Sequence, residues 1–286
     1  MLTESKIKME VCDGRGWILG PIEDAKAFAS RVEALEHFFS NPPENVDHFL
    51  TDRDWEGALE KIKVLYDAKP DWIVANYDNK GLTFFQGAAT WIVGQDGLRI
   101  PLIQLRKNFD SGSLLKLYSR EEVLSHEMVH AMRMQFDEPK FEEIFAYKTS
   151  RRLYRRLLGP LFQKPWEATL FLLLLLIPIA TEVYAIFYPE HSWVFWLSGM
   201  PALFGAWLLG RLVFYQFVLH RALKKLRPIL KQPQKAWAVA LRLSDREIFR
   251  VAFSKMEQFR DWVSEQKTAR WVLLSGKFFK KKHDWL

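Results

Sequence analysis

Cysteine is nearly absent from this chain: its 286 residues include one, Cys12. An internal disulfide is therefore excluded, and so is a metal site built on several thiolates. An internal repeat and a glycine-rich phosphate loop are also missing. The first 25 residues lack the apolar run of a cleaved signal segment, so none is expected. Aromatics, by contrast, are plentiful. Twelve Trp, 22 Phe and 8 Tyr need burial and exclude a disordered chain. The net charge of +7 is unevenly spread. Residues 1–150 carry 18 Lys/Arg against 25 Asp/Glu, residues 151–220 carry 6 against 3, and residues 221–286 carry 17 against 6. An acidic front and a basic tail are thus separate features, and nucleic acid is not an expected partner.

Two long apolar stretches lie in the middle, from Trp166 to about Phe187 and from Trp193 to Gly210 or a little beyond. Each approaches the roughly 20 residues that a membrane-spanning helix needs. Buried core helices of a soluble protein are the competing reading. The connector, Tyr188 to Ser192, contains Pro189, and Trp166, Tyr184, Tyr188, Trp193, Trp196 and Trp207 fall where interfacial aromatic belts sit. Arg151, Arg152, Arg155, Arg156 and Lys164 precede the first stretch, and Arg221, Lys224, Lys225, Arg227 and Lys231 follow the second. The expectation is a multi-pass membrane protein with two spans and both termini cytoplasmic. Glu182 and Arg211 are read as snorkelling side chains, too different in depth to pair with each other.

The chemistry is carried by Ser119-Arg120-Glu121-Glu122-Val123-Leu124-Ser125-His126-Glu127-Met128-Val129-His130. Ser119 with Glu122 reads as a capping box opening a helix, and Val123, Leu124, Met128, Ala131 and Met132 give that helix an apolar face. His126 and His130, four residues apart, project from one face and can hold one Zn²⁺ between them. Glu127 lies beside them, placed to take a proton from water and pass it to a leaving amine. The bland alternative is two ordinary surface histidines.

A catalytic zinc site takes three protein ligands and leaves one position open. Asp137 is expected to cap a second helix with Pro139 in its first turn and an apolar stripe of Phe141, Phe145 and Tyr154. The two helices then form an antiparallel hairpin. His130 and Glu143 stand at matching distances on either side of the turn, which makes Glu143 the expected third ligand and Glu142 the fallback. Tyr147, one turn beyond Glu143, is a candidate oxyanion stabiliser, although such tyrosines are more often structural.

His126, Glu127 and His130, followed by Glu143-Ile144-Phe145-Ala146, resemble the H-E-x-x-H and E-x-x-A halves of gluzincin-type zinc metallopeptidases. The resemblance spans some 25 residues, and it implies a zincin-like fold with the later glutamate as third ligand. The implied activity is peptide-bond hydrolysis. In that arrangement an edge strand presents free backbone groups to an extended peptide.

Upstream, Phe28, Val32, Leu35 and Phe39, then Trp55, Ala58, Leu59, Ile62, Leu65 and Tyr66, recur at helical spacing. Strand-like runs follow at 72–77, 82–86, 89–93 and 98–103, with Gly94 to Gly97 as a hairpin turn and Pro101 marking an edge strand. Ser244 with Glu247 reads as a capping box opening a helix to about Ser264, and the tail ends in Phe278, Phe279 and Lys280 to Lys282. This basic region either contacts anionic lipid or docks on the acidic front. The expected architecture is α+β: a zincin-like domain over 1–160, a transmembrane hairpin over 165–220 and a basic helical region over 221–286. The expected function is a membrane-anchored zinc metallopeptidase, an endopeptidase hydrolysing peptide bonds of protein or peptide substrates at the bilayer by a zinc-activated water. A catalytically silent membrane scaffold of the same fold is the alternative, against which the intact Glu127 stands.

Overall fold

A computed structural model of the protein describes residues 2–40, 52–82, 86–95, 98–111, 113–114 and 118–280. It is mixed α/β and mostly helical, with one small three-stranded sheet. Helices α1 (Leu2–Gly14), α2 (Ala25–Ser40) and α3 (Asp52–Tyr66) come first. The apolar spacing read from the sequence is the buried face of the second and third: Phe28, Val32 and Leu35 on α2, Ala58, Ile62 and Tyr66 on α3.

Strands β1 (Val74–Tyr77), β2 (Ala88–Gln95) and β3 (Leu98–Leu105) follow, in the order β1-β3-β2. β3 is antiparallel to β2 from Ala88↔Leu105 to Gln95↔Leu98, and parallel to β1. Pro101 therefore lies on the central strand, contrary to the edge expectation. β1 pairs with Leu102 to Leu105, so among the described residues the central strand has a neighbour on one side alone at Pro101. That local edge tolerates a residue with no N–H to donate. Among the described residues β2 is the edge strand that packs against α4. Phe84 and its two neighbours, and the Asp96-Gly97 part of the expected turn, lie outside the described residues, and Leu82 and Gln86 on either side are not in strands.

A two-residue ladder, β4 (Ser113–Leu114) with β5 (Tyr118–Ser119), leads into α4 (Arg120–Arg133), α5 (Pro139–Lys148) and α6 (Leu153–Leu158). Tyr154 thus sits on α6, not on the stripe of α5. Helices α7 (Pro165–Leu174) and α8 (Leu176–Phe187) make the first apolar rod, and a 3₁₀ segment leads into the 27-residue α9 (Met200–Leu226). Two helical stretches, Pro165–Phe187 and Trp193–Ile229, are long and apolar enough to cross a membrane. Only 6% of the most apolar window in the first is buried, so the protein gives it almost no core to occupy.

Arg211 on α9 does not snorkel alone. Its guanidinium grips the Glu167 carboxylate of α7 through two bonds of 2.6 and 2.8 Å and reaches the Leu161 carbonyl at 3.0 Å. The fork of arginine matches a carboxylate bidentately, and this clamp fixes α7 against α9 at one end of the hairpin. Glu182 stays exposed near the other end.

The second half of α9 leaves the apolar rod and enters the core: Val218, Leu219, Ala222, Leu223 and Leu226 are buried. They join one buried cluster with α3, α4, α5 and the helices α10 (Ala236–Leu241), α11 (Asp245–Phe253), α12 (Met256–Glu265) and α13 (Ala269–Phe278). The Ser244–Glu247 capping box is present in full, but its helix ends at Phe253 and a new one starts at Met256. The basic C-terminal region docks on the front half. Arg242 donates to Asp13 at 2.6 Å and to the Tyr66 carbonyl at 2.8 Å, Lys277 pairs with Asp13, and Lys235 with Asp67. Lys281 and Lys282 lie outside the described residues.

Candidate metal centre

α4 begins where Ser119, extended at φ −84° and ψ 147°, accepts a bond from the Glu122 amide. The box is only half made. Instead of turning back to Ser119, the Glu122 carboxylate takes a hydrogen bond from the Ser150 hydroxyl and a 3.0 Å ion pair from Arg155. Leu124, Met128, Val129, Ala131 and Met132 bury one side of the helix, which leaves His126 and His130 on the side facing the cleft. α5 returns antiparallel. Asp137 does not cap it; Asp137 occupies the left-handed region at φ 52°, and Glu138 is the N-cap residue, with Pro139 in the first turn. Aspartate tolerates that backbone better than most residues, and here it turns the chain.

The hairpin is braced from outside. Arg133, fully buried at the end of α4, donates to the carbonyls of Leu241 and Leu243 and stacks over Phe136 at 4.3 Å. The Asp245 amide donates to Glu138 at 2.5 Å, and the Lys140 amide donates back to Asp245 at 3.2 Å. The C-terminal region thus helps set the angle at which α5 meets α4.

These elements bring three donors together. The Nε2 atoms of His126 and His130 lie 3.2 Å apart. One Glu143 oxygen is 3.6 Å from His126 Nε2, and the other is 3.5 Å from His130 Nε2. A tetrahedral zinc with bonds of about 2.1 Å has donor–donor edges of about 3.4 Å, and the two imidazole nitrogens with a carboxylate straddling them come close to that scale. Among the described residues this is the group of His and Glu side chains able to hold a metal ion. Glu142 is not turned toward the other donors; it meets His130 Nδ1 at 2.7 Å. A carboxylate only accepts, so Nδ1 carries a proton, and Nε2 is the atom that would face a metal once it gave up its own.

The electrostatics suit a cation. Burial and the charge of His130 push His126 well below its usual range and keep it neutral. Burial also opposes charge on His130, yet the carboxylates of Glu143 and Glu142 hold it up at about 10. Glu143 is pushed up to about 7 by burial, partly offset by His130, with Glu127 and Glu142 adding repulsion. Three carboxylates in one poorly solvated pocket repel one another, and a divalent ion relieves that repulsion.

Glu127 is buried on the sheet side of the cleft, and its oxygen accepts a 2.7 Å bond from the Thr90 hydroxyl of β2. Burial raises its pKa despite that bond. Thr90 escapes a reading that looks only for charged or metal-binding residues; its signal was a hydroxyl on a strand ahead of the motif helix. Tyr147 lies edge-on to the His126 ring with centroids 4.6 Å apart. Its phenol keeps its proton, because burial and the nearby Glu143 raise its pKa. Gly159 makes room for it: a Cβ there would stand 2.3 Å from Tyr147 Cδ1.

The donors open into a cleft of about 850 Å³, lined on one side by β2 residues Ala88, Thr90 and Ile92 and on the other by α5 and the start of α7. No protein-family model matches the chain, and no curated protein or solved structure matches it either.

Proposed function

We propose that the protein is a membrane-anchored zinc metallopeptidase with a zincin-like catalytic part. The observation that carries this reading is the spacing of His126 Nε2, His130 Nε2 and the Glu143 carboxylate, beside a buried Glu127 that is not one of the donors. Bound there, Zn²⁺ supplies Lewis acidity toward a carbonyl oxygen and makes water acidic enough to react near neutral pH. Glu127 takes the proton from the attacking water and hands it to the leaving amine, so OH goes to the carbonyl carbon and H to the nitrogen. Its raised pKa suits a group that must both accept and release that proton. Tyr147, held protonated, donates to the negative charge that develops on the former carbonyl oxygen. Glu142 orients His130.

The free edge of β2 offers backbone groups for an extended peptide to pair with, and Trp91, Ile92 and Val93 on it are each more than 40% exposed. The Arg and Lys residues flanking the two apolar stretches support a topology with both termini on the cytoplasmic side. The basic C-terminal region adds attraction to anionic lipid.

Zinc content tests the reading. Purified wild type and Glu127→Ala are expected to carry about one Zn²⁺ per chain, and His126→Ala to carry none, as three-ligand sites do. Wild type that stays zinc-free when metal is supplied overturns it and leaves the membrane-scaffold alternative.

A further inference from the structure

One wall of the cleft is more than a peptide-binding groove needs. Beyond His126, Glu127 and Glu143 the cleft passes Phe162 and continues along Ala168, Thr169 and Leu172 of α7. α7 starts at Pro165 and is the first part of a helix long and apolar enough to cross a membrane. At 1.5 Å per residue, Leu172 stands about 10 Å along that helix from its start. Its side chain is 45% exposed, and Thr169 is exposed as well. The surface that carries the donors is therefore continuous with a surface made for lipid.

A second feature lies in the chain between the cleft residues Ser150 and Phe162. α6 leaves Leu153, Tyr154, Leu157 and Leu158 exposed while its Arg155 turns inward to Glu122. Four exposed apolar side chains on a short helix just before a bilayer-length one suit a segment lying in the membrane interface. With α6 at that level, Leu172 lies within the apolar layer and the cleft opens sideways into it.

We infer that the substrate is a membrane protein whose juxtamembrane segment enters the cleft laterally from the bilayer, along Ala168, Thr169 and Leu172. This rests on the peptidase reading above and narrows its substrates. A segment beside a span stays extended as it leaves the membrane and can pair with β2 while its own span remains next to α7. The bond broken is a backbone amide, hydrolysed by one water with no other co-reactant.

The experiment uses the full chain, loaded with zinc, in lipid nanodiscs. Two fluorogenic libraries share one short randomised segment; in the first it is attached to a synthetic single-span peptide, in the second it is free in water. The anchored library is expected to be cleaved faster, and Leu172→Trp, which fills the membrane end of the cleft, is expected to slow it by about tenfold while leaving zinc content unchanged. A binding readout avoids turnover. In Glu127→Gln with Cys12→Ser, and with a disulfide reagent added as oxidant, Leu172→Cys is expected to cross-link to a cysteine beside the peptide's span more readily than Ile179→Cys, which is 63% exposed further along the rod. Equal cleavage of both libraries with no effect of Leu172→Trp, or equal cross-linking at both positions, overturns the lateral route and leaves the peptidase intact. A zinc-loaded protein that cleaves neither library overturns the peptidase reading, and the route falls with it.

Discussion

The Thr90 hydroxyl lies 2.7 Å from Glu127 Oε2 and 3.1 Å from the Glu127 carbonyl oxygen, so the single proton of one strand hydroxyl is offered chiefly to the side chain of the residue after His126. Thr90→Val keeps the shape and removes the donor. A buried hydrogen bond to a charged group contributes about 1.5–3 kcal/mol, so turnover is expected to fall by about 10- to 100-fold. Zinc content should not change. Steady-state kinetics beside metal analysis checks this, and a Thr90→Val protein with full turnover removes Thr90 from the mechanism.

Glu142 holds His130 Nδ1 at 2.7 Å, so on the zinc reading it tunes the metal through that imidazole. Glu142→Gln keeps the side-chain length and replaces a full charge with an amide. Loss of such outer partners typically weakens metal affinity by about 10- to 100-fold. Competition against a chelator of known affinity measures the change, and Glu143→Gln is expected to weaken binding further because it alters a direct donor.

Gly159 and Tyr147 cannot both carry full side chains at their present separation. Gly159→Ala is expected to destabilise the protein by about 1–3 kcal/mol, the usual cost of overpacking. Combining it with Tyr147→Ala should recover most of that loss, because the clash partner is gone. Thermal denaturation of the two single variants and the double variant gives the coupling directly.

Asp245 gives stability a pH dependence. Burial, offset in part by Arg133 and reinforced by Glu138, pushes its carboxyl from 3.8 up to about 6 in the folded chain. A raised carboxyl contributes its stability in full below pH 3.8, and this is lost as pH rises through about 6. Asp245→Asn is therefore expected to be the more stable protein above pH 6, by an amount on the order of 2–3 kcal/mol, with the advantage fading toward pH 4. Denaturant melts at pH 4, 6 and 8 check both sign and trend.

The Arg211–Glu167 clamp predicts an asymmetry between single and double changes. The two side chains are 14% and 2% exposed. Glu167→Gln or Arg211→Met alone strands a charge or a donor and should cost about 3–5 kcal/mol, whereas Glu167→Leu with Arg211→Met should restore much of it. Unfolding in mixed detergent micelles provides the comparison.

The sequence disclosed what depends on local periodicity. The amphipathic faces of α2 and α3, the start of α4 at Ser119, the pairing of His126 with His130 one turn on, and two bilayer-length helices all follow from neighbours along the chain. Contacts set by distant residues were not legible. Pro101 could be read only as an edge marker, because the place where β1 stops pairing is fixed by packing. Glu122 was assigned to its own helix end, whereas Arg155 and Ser150, far along the chain, compete for it. Nothing local in the sequence joins Glu167 to Arg211, because pairing across a hairpin depends on its register. Thr90 needed the sheet to be placed against α4 before its hydroxyl had any meaning.

α9 runs unbroken from an exposed apolar half into the buried core, where Val218 to Leu226 pack under the helices that carry the donors. Such a helix is an axle rather than a leash. In a bilayer, whatever tilt the apolar half takes is imposed on the platform at the other end, with no swivel between them. The depth and angle at which the cleft meets the lipid are then set by how α7 leans on α9, so a thicker or thinner membrane re-aims the site without touching any residue in it.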